Sequence, residues 1–182
     1  MKGAALSSRL LWVRLNHGDA GLGQLRAMVS PGLAELIDGG VVMSRWYAFE
    51  LYVELTAAID RRWGVGDLAL ARELGRHGAH ANLTTIYRLF YKVGTVKWIA
   101  GRAARLWGLH YDSGRMLMVQ LPGKEMEMRI EGFDSPHRAH CLSVMGWSER
   151  SVELSGGHDV NTEELSCRAG GDPSCRFRFR WT

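Results

Sequence analysis

The segment KEMEMRI at residues 124–130 decides the fold class of this chain. Methionine or isoleucine occupies every second position and charged residues stand between them, a period that is typical of a β-strand with one buried face. A Pro-Gly pair at residues 122–123 precedes the segment and predicts a turn. The same alternation returns at residues 175–181, so we expect antiparallel strands in the second part of the chain.

The first hundred residues show a helical period instead. Tyr47, Leu51, Leu55 and Ile59 form one apolar stripe within residues 46–63, and a glycine follows the last turn as a terminator. Four further helices are predicted. One begins at Pro31 after Ser30 and stops at Gly39-Gly40, and a second begins after a cap at Asp67. A third opens at Thr84-Thr85 and continues as IYRLFYKV, and a fourth spans residues 95–107.

The period changes after these helices. A turn at residues 112–114 between two apolar stretches predicts a hairpin within residues 110–120. A helix is expected at residues 136–150, and strands are expected near residues 151–155 and 160–167. Helices followed by strands indicate an α+β fold with an antiparallel sheet. A length of 182 residues predicts a single domain, with a mainly helical half at 1–107 and a sheet half at 108–182.

Composition excludes several classes of protein. Hydrophobic residues make up 46% and charged residues 23% of the chain, which excludes disorder, collagen and a disulfide-dense miniprotein. The net charge is +4, but the basic residues of residues 1–110 are scattered at helical spacing. This pattern favours solvated helix faces over a nucleic-acid groove, so no nucleic-acid partner is expected.

The N-terminus does not have the pattern of a signal peptide. Its apolar part is short and is interrupted by Arg9 and Arg14, and no apolar run approaches the roughly 18 residues that a membrane span requires. We therefore expect a cytoplasmic protein with reduced thiols.

The three cysteines predict a metal site. Cys167 and Cys175 flank a Gly-Gly-Asp-Pro turn, which would place both thiols on the arms of one hairpin. Cys141 and Glu164 would complete a closed tetrahedral shell of three thiolates and a carboxylate, a donor set that suits structural Zn²⁺. The alternative is that these cysteines are small core residues and that Glu164 lies on the surface.

The same residues carry a resemblance to a known family. The pattern Cys141-x4-Gly146-Trp147 followed by Glu164-x2-Cys167-x7-Cys175 resembles the 4-vinyl reductase type domain of bacterial aromatic-sensing transcription activators, with tryptophan in place of the usual tyrosine. The resemblance implies a structural zinc at the three cysteines and the glutamate. It also implies a fold similar to TRAPP tethering subunits, in which N-terminal helices pack on a twisted antiparallel sheet, here with a C-terminal β-hairpin pinned by zinc. Trp46-Tyr47, Leu74-Gly75-Arg76 and Leu106-Trp107 give the whole chain a looser resemblance to a family of myxobacterial proteins.

The resemblance further implies a pocket for small apolar molecules between helices and sheet. The alternative is that the aromatic residues at helical spacing are plain core. The histidine and tryptophan that hold phenol in the activators have no counterpart near Phe90 or residues 120–122, so the expectation is a more apolar ligand, a different ligand or no ligand. The candidate ligand-binding residues are Tyr87, Phe90, Tyr91, Trp98, Trp107, Tyr111 and Met118.

Two histidine pairs at i, i+3 are further candidates. His77 and His80 share one face of a predicted helix and could hold a haem or a metal, although such residues are more often half-exposed. His137 and His140 precede Cys141, where His140 could support or replace a metal ligand.

No catalytic motif is present, since GxSxG, GxxxxGK[ST] and GxGxxG are all missing. We therefore predict a non-enzymatic sensory module that binds an apolar or aromatic small molecule, contains a structural zinc and acts through a protein partner or a homodimer. The alternatives are a protein–protein scaffold of the tethering-subunit type and an enzyme or accessory of tetrapyrrole vinyl reduction.

Overall fold

The computed structural model describes residues 1–85 and 96–182, without the side chains of residues 84, 85, 102, 103 and 106. Helices come first and strands follow, with one helix inserted between the second and third strands. The elements are α1 (Ala4–Arg26), α2 (Pro31–Gly39), α3 (Phe49–Trp63), α4 (Leu70–Thr85), α5 (Val96–His110), β1 (Arg115–Leu121), β2 (Glu125–Glu131), α6 (Arg138–Leu154), β3 (Asn161–Ser166), a 3₁₀ turn (Arg168–Gly170) and β4 (Cys175–Arg180).

The four strands form an antiparallel sheet in the order β1-β2-β4-β3. Its centre is the alternating segment, because Met126 pairs with Phe179 and Met128 with Phe177, and all four side chains are buried. The cross-strand contacts of these large apolar residues stabilise one face of the sheet. The predicted α+β class, with N-terminal helices and an antiparallel sheet, is confirmed.

Two apolar clusters build the interior. One lies between the sheet and α6, and the other lies among α1, α2, α3 and α4. Phe49 and Tyr111 pack against both clusters, so the clusters meet at these two aromatic residues.

Helices α4 and α6 join the two clusters through direct backbone contact. A Cβ added to Gly75 would lie 2.0 Å from the Ser143 carbonyl oxygen, and one added to Gly146 would lie 1.9 Å from the Arg72 carbonyl oxygen. Only glycine allows this approach. The contact is flanked by ion pairs, such as Arg72 to Glu149 at 2.6 Å.

Three local predictions differ from the structure. Residues 112–114 link α5 to β1 rather than turning a hairpin, because α5 continues to His110 and leaves no strand before the turn; the hairpin lies at residues 122–124. Residues 151–155 are not a strand, because Val152 is buried on the sheet-facing side of α6 and the helix runs on to Leu154. The predicted helix IYRLFYKV lies at residues 86–93, outside the described residues, and its expected opening pair Thr84-Thr85 ends α4.

None of the helices in the described parts of the chain combines the length and apolar character of a membrane span.

Candidate ligand cavity and thiol cluster

A cavity of about 140 Å³ lies where the start of the chain and helices α1, α3, α4, α5 and α6 meet. Its wall is mostly apolar. One side is sealed by the first residues, since the Met1 amine donates to the Tyr47 carbonyl at 2.8 Å and the Lys2 amide donates to the His110 carbonyl at 2.9 Å. The described lining residues include no Asp or Glu; they are Met1, Lys2, Ala4, Ala5, Ser8, Arg9, Met43, Tyr52, Leu74, Gly75, Gly78, Asn82, Leu83, Trp107, His110, Tyr111, Met116, Ser143, Val144 and Trp147.

Arg9 is the buried cation of this wall. It is 3% exposed and projects from α1. Its Nε donates to Thr56 Oγ1 at 2.9 Å and its Nη1 to the Ala5 carbonyl at 3.0 Å. Its Nη2 donates to Tyr52 Oη and Ser143 Oγ, both at 2.6 Å. Every acceptor is neutral, and no carboxylate of the described residues lies within ion-pair distance.

An aromatic cage around His140 lies beside this wall. The ring of Phe133 stacks on His140 with centroids 4.8 Å apart, and Tyr111, Phe49 and Trp107 meet it edge-on at 5.1, 5.4 and 5.9 Å. Burial, together with the nearby Arg9 charge, lowers the pKa of His140 to about 3. His140 is therefore a neutral ring at physiological pH, and its buried Nε2 has no partner among the described residues.

The two histidines of the first pair lie in different surroundings, and their role in holding a haem or a metal stays a prediction. His80 Nδ1 lies 3.2 Å from Arg150 Nη2 at the surface, whereas the Nε2 of His77 is buried. Burial also lowers the pKa of His77.

The predicted ligand-binding residues fall in different places. Trp107 and Tyr111 line the cavity and stack on each other at 4.1 Å. Met118 lines a second cavity of about 30 Å³ under α6, and Trp98 is 40% exposed. Tyr87, Phe90 and Tyr91 lie outside the described residues.

Sequence reasoning missed the polar residues of the wall. Arg9 was interpreted only as an interruption of an apolar segment. Its neighbours Tyr52 and Ser143 lie 43 and 134 residues away along the chain, so no local spacing could link them to it. The one available signal was a charged residue on the apolar stripe of α1, since Leu6 and Val13 on either side of Arg9 are fully buried.

The three cysteines converge at the other end of the sheet. Cys141 Sγ lies 3.6 Å from Cys175 Sγ and 3.4 Å from Cys167 Sγ, and Cys141 and Cys175 are buried. Hydrogen bonds with Cys141 and Cys167 and donation from the Arg168 amide lower the pKa of Cys175. The hydrogen bond with Cys175, together with burial, raises the pKa of Cys141.

Glu164 does not join these thiols. Both of its carboxylate oxygens accept from Arg138 Nη1, at 2.5 and 2.7 Å, and the strand register shifts between Glu164 and Ser166. The group of potential metal ligands that the described residues form here consists of the three cysteines alone. That Cys141, Glu164, Cys167 and Cys175 hold a metal stays a prediction.

No family model matches this chain, and no curated protein matches it. Solved structures do. An H-NOX protein from S. oneidensis in the Fe(II)NO ligation state has a TM-score of 0.80 at 14% identity, over 100% of this chain and 99% of that one. An oxygen-binding H-NOX domain related to soluble guanylate cyclases, in its oxygen complex, has a TM-score of 0.74 at 13% identity, over 100% and 95% of the two chains. An unliganded Fe(II) H-NOX mutant from K. algicida reaches 0.72 at 13% identity, over 100% and 97%.

These comparisons overturn two predictions. The resemblance to the 4-vinyl reductase domain is wrong, because solved structures that match the whole length of the chain are H-NOX proteins. The prediction that the cofactor is a structural zinc is also wrong. The matching structures are described as Fe(II) complexes, and one was solved to study haem redox potential, which points to haem iron rather than zinc for this fold. The zinc-pinned hairpin is accordingly not confirmed. At this level of identity the comparison shows the fold alone, and this chain has the H-NOX fold.

Proposed function

We propose that this protein is a small-molecule-binding sensory module of the H-NOX fold. Its ligand would occupy the cavity enclosed by α1, α4, α5 and α6, and its output would pass through a partner protein or a second copy. Neighbours with this fold are described with nitric oxide or oxygen bound. The observation that carries the proposal is the partly open, mostly apolar cavity with a small set of polar groups on one wall, which is the usual form of a small-molecule site.

A haem does not fit the described residues. The cavity of about 140 Å³ is below the roughly 300–1,000 Å³ of pockets that hold drug-sized ligands. It is close to the engineered cavities of about 150 Å³ that bind benzene. Haem iron also needs a side-chain ligand such as histidine, cysteine or tyrosine. Tyr52 in this wall already accepts from Arg9, and the unpartnered ring nitrogen of His140 lies within an aromatic cage. His110 does line the cavity, so the misfit rests on the volume of the cavity and not on the absence of a histidine. We therefore derive the function from the chain's own residues and not from a haem.

The backbone contact between α4 and α6 supports the same conclusion. These two helices supply Leu74, Gly78 and Val144 to one wall of the cavity. Because the glycine contacts hold the two backbones together, no slot for a flat macrocycle opens between them.

The tethering-type scaffold predicted as an alternative finds no support in the comparisons, and no observation favours it as a second candidate.

The proposal is tested by filling the cavity. A Cβ added to Gly78 would have only Ser8 within 4 Å among the described residues, so the leucine of Gly78→Leu should occupy the cavity. A Cβ added to Gly101 on α5 would have no described residue within 4 Å, so Gly101→Leu serves as the matched control. Benzene should raise the melting temperature of the wild-type protein and of Gly101→Leu and should have no effect on Gly78→Leu. Thermal unfolding with and without saturating benzene is the measurement. An equal response in all three proteins, or none in any of them, would contradict the proposal.

A further inference from the structure

Arg9 carries a buried positive charge that the described residues do not neutralise. Burying an ion without a counter-charge is expensive, and buried cations in proteins are normally paired or bound to an anion. The four acceptors around Arg9 are two hydroxyls of the cavity wall, one threonine hydroxyl and one backbone carbonyl. Residues 86–95, which the structure does not describe, contain no Asp or Glu.

The other titratable groups near this site do not supply the missing charge. His77 and His140 are the histidines whose pKa values the Arg9 charge lowers, so both face it as neutral rings. Lys2 also lines the cavity, but its Nζ donates to the Ser44 carbonyl at 2.7 Å and lies over the exposed Trp46 ring. Arg9 is thus the cation whose charge is buried against the cavity.

Two hydroxyls beside Arg9 are in a position to donate into the cavity. Tyr52 Oη and Ser143 Oγ both accept from Arg9 Nη2, so their own protons point elsewhere. Tyr52 is 2% and Ser143 6% exposed, and neither hydroxyl donates to an acceptor among the described residues. A guanidinium has five N–H groups and Arg9 makes four hydrogen bonds, which leaves one further donor.

We propose that this cavity binds a small apolar carboxylate. The carboxylate would accept from the remaining Arg9 N–H and from the Tyr52 and Ser143 hydroxyls, and charge-assisted hydrogen bonds of this kind are the strong ones. The apolar part would lie against Leu74, Val144 and Trp107. The volume limits the ligand to the size of a single aromatic ring or a short alkyl chain. This inference rests on the proposed function, because it names the ligand class of the same cavity.

The test compares acids with neutral molecules of the same shape. Benzoate and hexanoate are titrated against benzyl alcohol and hexanol by calorimetry and thermal unfolding, in a buffer low in chloride. Wild-type protein should bind each acid roughly 10–100-fold more tightly than its neutral counterpart. Arg9→Met should remove this preference and leave the binding of the neutral probes intact. Arg14→Met, which removes an exposed arginine from the same helix, should leave the preference unchanged.

Two further variants and one stability measurement separate binding from a structural role. Tyr52→Phe and Ser143→Ala should each weaken benzoate binding several-fold and leave benzyl alcohol binding unaffected. Without ligand, Arg9→Met should melt at or above the wild-type temperature, because it removes a buried charge that has no counter-ion among the described residues.

The outcomes distinguish the two proposals. Equal affinity for acids and neutral probes overturns the carboxylate inference and leaves the sensory proposal standing. The carboxylate inference also fails if chloride stabilises the protein as much as benzoate does, or if the acid preference survives in Tyr52→Phe and Ser143→Ala while Arg9→Met unfolds. If no probe of either kind binds, the proposed function fails together with the inference.

Discussion

Glu127 and Arg9 are both buried charged residues, but only Glu127 has a counter-ion among the described residues. Glu127 on β2 is 4% exposed and accepts from Arg176 Nε at 2.7 Å and from Arg129 Nε at 2.6 Å. These arginines hold the pKa of Glu127 down to about 2. Arg9, by contrast, contacts only neutral groups. The contrast indicates that Glu127 has a structural role, whereas Arg9 has no counter-ion among the described residues.

Glu127→Gln should lower the free energy of unfolding by about 1–3 kcal/mol at pH 7, because two arginines lose a charged acceptor. The folded pKa lies below the unfolded one, so this stability is fully present above about pH 4.5 and is lost as the pH falls toward 2. The wild-type protein should therefore lose more stability across that window than the variant does. Urea unfolding at a series of pH values measures the difference.

Glu163→Gln is the matched control for this prediction. Glu163 pairs with Arg180 at 3.6 Å, and both side chains are about half exposed. Its replacement should change stability by less than about 1 kcal/mol. If both variants lost the same free energy of unfolding, the burial of Glu127 would not strengthen its ion pairs with Arg129 and Arg176.

Among the secondary-structure elements, α4 and α6 depend on each other most closely. Gly146→Ala would place a methyl group 1.9 Å from the Arg72 carbonyl, so the helices would have to separate. We expect a loss of roughly 1–3 kcal/mol or more in the free energy of unfolding. Gly101→Ala, in an open position on α5, should instead stabilise the protein by about 0.5–1 kcal/mol, because alanine favours the helix.

Chemical denaturation of both glycine variants gives these two energies. If Gly146→Ala were as stable as the wild type, the close approach of α4 and α6 would be refuted.

Some of these elements could be predicted from the sequence and others could not. The strand at 124–130 and its partner at 175–181 were predictable, because alternation is written in consecutive residues and the sheet buries the same face along its length. The strand expected at 151–155 was wrong, because burial of Val152 against the sheet overrides local β-propensity. The backbone contacts of Gly75 with Ser143 and of Gly146 with Arg72 were not predictable, since they join residues 68 and 74 positions apart.

At the scale of the whole molecule, a specific motif indicated the wrong family. Spacing between cysteines and a glutamate is a local property that a helix followed by a hairpin can produce in more than one fold. The thiols do converge, as expected for cysteines on the arms of one hairpin, but Arg138 engages Glu164. The order of β1-β2-β4-β3 and the placement of α1–α5 depend on long-range contacts, and they identify the fold as that of H-NOX proteins.

Whether the whole protein binds haem can also be measured. Titration of the purified protein with hemin should give no saturable Soret band, because the cavity of about 140 Å³ is too small for the macrocycle. Absorption spectroscopy under reducing and oxidising conditions is sufficient. A sharp band at one equivalent of hemin that is lost in His110→Ala, the cavity-lining histidine variant, would refute this expectation.

The glycine contacts between α4 and α6 also have a mechanical consequence. Because the two backbones are in contact, we expect α4 and α6 to move as one rigid unit. The cavity wall that they form should therefore not move to accommodate a larger ligand. The opposite side of the cavity is formed by α1 and the first residues of the chain, which are held in place by the hydrogen bonds of Met1, Lys2 and Arg9. The cavity should therefore select its ligands by size rather than adapt to them.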